Sequence, residues 1–130
     1  MANYLRFMQD LVALRRSQPA LRAEGVRVSR VHNLDRVIVV NRWVADGSPG
    51  RDVVLVASLD EHVKAGYGIG LPFGGRWREL FNSDYYDSFP NPAPTGNGGW
   101  VDASGSGLDG FAHSAMIMIP ANGALFLAPE

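Results

Sequence analysis

The sequence predicts a mainly β protein: an antiparallel, Greek-key-like β-sandwich of seven to eight strands, preceded by one N-terminal α-helix. Three observations predict it. Short apolar runs at residues 37–40, 53–57 and 115–119 are separated by turn-forming clusters. Fifteen glycines and eight prolines in 130 residues supply many turns. Helical periodicity is confined to one stretch at the start, residues 4–17.

The elements follow in order. Asn3 is placed to cap the helix. Pro19 ends it, because the residue before a proline is pushed out of the helical region. Residues 20–25 form a connector. Strands are expected at residues 26–32, with Val31 breaking the alternation and suggesting a bulge, and at 36–43 after a turn at 33–35. A turn at 46–50 leads to a strand at 52–59. Further strands are expected at 67–71, 77–82, 100–103, 111–119 and 124–127. Turns at Gly74-Gly75 and residues 120–123 and a long irregular stretch at 83–99 join them. The runs at 37–40, 53–57 and 115–119 are continuously apolar, so both their faces are expected to be buried.

The helix carries more apolar surface than a sandwich can cover. At 3.6 residues per turn, Tyr4, Leu5, Phe7, Met8, Leu11, Val12 and Leu14 spread over roughly half the cylinder, where a surface helix needs a stripe of only about 100°. Two packing partners are therefore expected, and the strands supply one. The other is expected in an upstream part of a longer protein.

Composition narrows function. Apolar residues make up 46% and charged residues 19%, as in ordinary globular folds. A net charge of −1 gives no reason to expect nucleic acid or an anionic membrane as partner. No apolar run approaches the length of a membrane span. The chain has no cysteine, hence no disulfide framework or thiolate metal site. Its first residues lack the layout of a signal peptide, and a cytoplasmic location is expected.

His32, His62 and His113 are too widely spaced for a ligand pair, so no metal site is expected. His113 and Ser114 would point to opposite faces of one strand and cannot act as base and nucleophile. Gly66, Gly68 and Gly70 lack the strand–turn–helix setting of a dinucleotide loop, and no cofactor is expected. Asp84, Asp87, Asp102 and Asp109 occupy predicted loops, where aspartate is a common turn residue, and no catalytic pair is assigned. Tyr85, Tyr86, Phe89 and Trp100 bracket the long loop and could stack on sugar rings, with Asn82, Asp84 and Asn97 bonding hydroxyls. The plainer reading is that these rings pin the loop to the sandwich. Trp77, on a predicted strand, is read as core.

The join between helix and strands, Leu14-Arg15-Arg16-Ser17-Gln18-Pro19-Ala20-Leu21, resembles the end of α-amylase family proteins. The likeness is greatest to the glycogen or starch branching enzymes. It continues through Asp35-Arg36-Val37-Ile38, Tyr67-Gly68-Ile69-Gly70-Leu71-Pro72, residues 75–84 ending in Asn82-Ser83-Asp84, and Gly96-Asn97-Gly98-Gly99. Two places depart from it: Ser58-Leu59 stands where the family has Asn-Phe, and Tyr85-Tyr86-Asp87 where it has Tyr-Gly-Gly. The resemblance implies that residues 1–22 are the last helix of a (β/α)8 barrel with its connector, and residues 23–130 a C-terminal all-β domain. It implies a parent that moves α-1,4-glucan to a 6-hydroxyl with retention, using carboxylates upstream of this segment. The expected role is a non-catalytic domain stabilising the barrel, its partner; the alternative is an α-glucan-binding module, and a self-standing enzyme is the third reading. The isolated chain is expected to self-associate through exposed apolar surface.

Overall fold

The computed structural model describes residues 2–44, 52–86 and 95–130. Helix α1 (Ala2–Ser17) leads through a 3-10 turn (Pro19–Arg22) into eight strands: β1 (Gly25–His32), β2 (Val37–Trp43), β3 (Asp52–Ser58), β4 (Lys64–Leu71), β5 (Gly75–Asn82), β6 (Trp100–Ala103), β7 (His113–Ile119) and β8 (Ala124–Pro129). Gln18 is extended, as the proline after it requires. The helix begins at Ala2, so Asn3 lies within its first turn instead of capping it.

The strands form two antiparallel sheets. One has six strands in the order β1-β2-β3-β8-β5-β6, and the other pairs β4 with β7. The chain leaves the large sheet after β3, and β8 later inserts between β3 and β5. Period-2 alternation builds the core. Val37, Val39, Val54, Val56, Trp77, Leu125 and Leu127 from the large sheet meet Ile69, Leu71, Ile117 and Ile119 from the small one. A smaller second core, Ala20, Val53 and Ala128 with Leu21, Leu80 and Phe126, lies beneath the connector.

Three expectations need correction. The run at 115–119 is buried on one face only: Ala115, Ile117 and Ile119 point inward, but Met116 is 70% exposed. Helix α1 packs on the large sheet, so it does not cover the outer face of β7. On β2 and β3 the outward residues Ile38, Val40, Leu55 and Ala57 are half-buried. The alternating valines of β1, Val26 and Val28, are exposed because β1 is the sheet edge, and its bulge falls at Ser29, two residues before Val31. The stretch expected to be irregular opens with a 3-10 turn, Ser83–Tyr86. The turn at 46–50 and the prolines of the long loop lie outside the described residues.

One loop, around Asp109, links β1 of the large sheet to β4 of the small one. Asp109, at φ 56°, accepts the Gly70 N–H at 3.0 Å and pairs with the Arg30 guanidinium at 2.9 Å, while its carbonyl accepts from Arg27 at 3.3 Å. The loop lies so close to β4 that a Cβ on Gly70 would stand 2.2 Å from the Leu108 carbonyl oxygen. Arg30 also donates to the Tyr67 hydroxyl, which donates to Asp35, so β1, β4 and the loop share one polar network.

Candidate functional site

Of the seven residues nominated from sequence, the six that lie among the described residues fall into separate groups. Asn82 ends β5 in an Asx turn, its Oδ1 accepting the Asp84 N–H at 2.9 Å. Its Nδ2 donates to the Thr95 carbonyl at 2.8 Å, and the Thr95 N–H donates to Asp84 at 2.6 Å. Asn97 donates to Glu79 through both its backbone N–H and its Nδ2. Its side-chain amide also spans Met118 of β7, donating to the carbonyl at 3.0 Å and accepting the N–H at 2.8 Å. These three polar side chains tie the two ends of the long loop to the sandwich. The Asn-x-Asp spacing carried a turn signal that sequence could have read. Phe89 lies outside the described residues.

Tyr85 and Tyr86 belong to an aromatic cluster joining the 3-10 turn, β5 and α1. Tyr86 stacks on Phe81 at 5.4 Å and meets Phe7 of α1 edge-on at 5.3 Å, Phe81 meets Phe126 at 5.6 Å, and Tyr85 meets Tyr86 edge-on at 5.3 Å. The Tyr86 hydroxyl donates to Asp10 of α1 at 2.5 Å, and Arg6 donates to the same carboxylate oxygen. Burial pushes the Tyr86 phenol well above its ordinary pKa, and the Asp10 carboxylate adds to the rise. The Asp10 carboxyl is held below its ordinary value, chiefly by the Tyr86 hydrogen bond. A depressed carboxyl stabilises above its unfolded pKa, 3.8, and loses that contribution as pH falls through the lower folded value. Tyr86→Phe is therefore expected to cost about 1 kcal/mol at pH 7. The gap to wild type should narrow as pH falls below 3.8 through the lower folded value, as read by urea unfolding across that range and at pH 7.

The far side of α1 is uncovered. Leu14 is buried and Phe7 packs on the cluster, whereas Leu5, Met8 and Val12 are exposed. A hollow of about 380 Å³ separates Leu11, Val12 and Leu21 from Val40, Leu55 and Phe126 on the large sheet. The Arg22 guanidinium donates to the carbonyls of Arg15 and Arg16, closing the end of α1 onto the connector.

Trp100 stands apart from the tyrosines, on edge strand β6. The Arg76 guanidinium lies over its indole at 4.2 Å, yet the residue stays 51% exposed. It borders a groove of about 720 Å³ between β6 and β7, lined also by Asp102, Ser104, Ser106, Ser114 and Met116. Of the nominated residues, only Asn97 joins Trp100 there. No local pattern marks Ser104, Ser106 and Ser114 as bordering the same groove as Trp100, because β7 is brought beside β6 only by the crossing between sheets.

Among the described residues, no group of three or more His, Cys, Asp or Glu side chains could hold a metal ion. No helix among them is long and apolar enough to cross a membrane.

Two stacked antiparallel sheets headed by one helix define an all-β domain. The chain belongs to the α-amylase C-terminal all-beta domain family, whose model matches residues 28–130. Among its relatives, the 1,4-alpha-glucan branching enzyme GlgB of Mycolicibacterium paratuberculosis is 33% identical over 132 residues, covering 97% of this chain and 17% of that enzyme. The GlgB of Pseudomonas fluorescens is 32% identical over 131 residues, covering 96% of the chain and 17% of the enzyme. GlgB 2 of Xanthomonas oryzae pv. oryzae is 42% identical over 77 residues, 59% of the chain and 10% of the enzyme. The chain thus matches less than a fifth of the length of these relatives.

Proposed function

We propose that this chain is the non-catalytic C-terminal domain of a cytoplasmic 1,4-α-glucan branching enzyme. In this reading residues 1–22 are the last helix of a catalytic (β/α)8 barrel with its connector, and residues 23–130 are the sandwich that steadies the barrel. The observation that carries the reading is the two-sided helix. One side of α1 is anchored through Phe7 and Leu14, and the other presents Leu5, Met8 and Val12 to solvent. Burying an apolar side chain of this size stabilises by roughly 1.5–3 kcal/mol, so a neighbour covering all three would be held firmly. The aromatic cluster and the Tyr86–Asp10 hydrogen bond would pass that support from barrel to sandwich.

The test is a chimera in which this chain replaces the matching segment of the Mycolicibacterium paratuberculosis enzyme. Branching activity is expected in the chimera and not in the chain alone. Leu5→Asp, Met8→Asp and Val12→Asp together should abolish the chimera's activity while leaving the isolated chain folded by circular dichroism. A fully active triple-substituted chimera would overturn the reading.

A further inference from the structure

We propose that Asp52 and Asn41 form a proton-operated clamp between β2 and β3: neutral Asp52 donates its O–H to the Asn41 side-chain carbonyl, and ionised Asp52 lets it go. Both side chains are buried, Asp52 at 8% exposure and Asn41 at 4%. The register pairs Asp52 with Trp43 and Asn41 with Val54, so the two are diagonal neighbours on the inward face of the large sheet. The Asn41 amide hydrogen-bonds the Asp52 carboxyl. Yet Asn41 Oδ1 has no hydrogen-bond partner, and among the described residues it is the one buried side-chain polar atom in that position.

The pair is short of one hydrogen. An ionised carboxylate only accepts, and the amide donates from its nitrogen alone. Three acceptor oxygens are then served by one donor atom. A proton on Asp52 supplies the missing donor, because an acid and an amide can pair through O–H···O=C and N–H···O=C together. An orphaned buried acceptor is costly, so the neutral acid is favoured. Burial pushes the Asp52 carboxyl above its ordinary value, and the Asn41 bond opposes the rise. The charges around the pair are committed elsewhere. Arg27 of β1, in register with Asn41, donates to the Asp109 carbonyl and lies over the Phe111 ring. Arg42 of β2 donates to the carbonyls of Ala23 and Gly25. Asp109 is held by Arg30 and the Gly70 N–H, and Arg76 of β5 lies by Glu130 after β8. His113 opens β7 on the facing sheet, its ring close to Gly74.

A raised carboxyl contributes stability that is whole below the unfolded value, 3.8, and is lost as pH rises through the folded value. The clamp therefore holds in acid and slackens above that point. Asp52→Asn keeps a neutral donor there at every pH. The test is a carbon-detected NMR titration of the 130-residue chain. The Asp52 carboxyl carbon and the Asn41 side-chain amide are expected to shift together, with one midpoint above 3.8. At pH 7 Asp52→Asn should raise the urea midpoint by about 0.5 M, an excess that shrinks as pH falls toward 3.8. Comparing the two chains at each pH cancels the titration of His113. Amides of residues 41–43 and 52–54 should exchange faster in the unsubstituted chain than in Asp52→Asn at pH 7. An Asp52 midpoint at or below 3.8, separate midpoints for Asp52 and Asn41, or an Asp52→Asn excess that does not change with pH would each overturn the proposal. The titration is read on the unsubstituted chain, so it decides the matter even where the variant fails to fold.

Discussion

Trp77→Ala is expected to cost about 4 kcal/mol, enough to bring a domain of this size near its unfolding threshold. Trp77 is fully buried at the middle of β5, in register with Val101 of β6 and Pro129 of β8. It is the largest fully buried side chain of the main core, and truncating it in a close-packed interior leaves a cavity. Its indole N–H donates to the Phe73 carbonyl at 3.0 Å, holding the turn that leads from the small sheet back into the large one. Trp77→Phe keeps part of the volume and orphans that carbonyl, so about half the loss is expected. Urea unfolding followed by far-UV circular dichroism reads both. A Trp77→Ala loss under 1 kcal/mol would mean the core is not packed as described.

The second large effect is expected at Asp109. Asp109→Ala removes the partner of the Gly70 N–H and of the Arg30 guanidinium together, and Gly70 is buried. Leaving the Gly70 N–H unpaired, and Arg30 with only the Tyr67 hydroxyl, should cost about 3 kcal/mol. Asp109→Asn should cost about 1 kcal/mol, because asparagine tolerates a positive φ and still accepts a hydrogen bond. Equal losses for the two variants in urea unfolding would show that the carboxylate is not the latch. The same contact explains why position 70 is glycine: any side chain there meets the Leu108 backbone, which cannot yield without lifting the loop.

The fold was legible where local chemistry repeats. Pro19, the Gly74-Gly75 turn and the apolar run of β2 each announce themselves within a few residues, and the helix and strands formed close to those positions. Burial of the strands was less legible, because it depends on which sheet a strand joins. The sequence around Met116 is as apolar as that of β3, but β7 belongs to the two-stranded sheet and has an uncovered face. The candidate site was legible only as a list. Asn82 and Asn97 look alike as sugar-binding amides, and only the distances to Thr95, Glu79 and Met118 show that they tie the loop. Trp100 and Ser114 lie on consecutive strands that join different sheets, and no local pattern shows that both border one groove.

The bulge at Ser29 has a consequence for crowding. A sheet edge is a template on which a second chain can lay down another strand. At β1 the extra residue breaks the regular spacing of the edge, and Arg27 and Arg30 fold over the neighbouring loop, Arg27 above the Phe111 ring and Arg30 onto Asp109. An irregular edge flanked by cations resists templated growth. Strand-by-strand growth into fibres is therefore disfavoured at this edge.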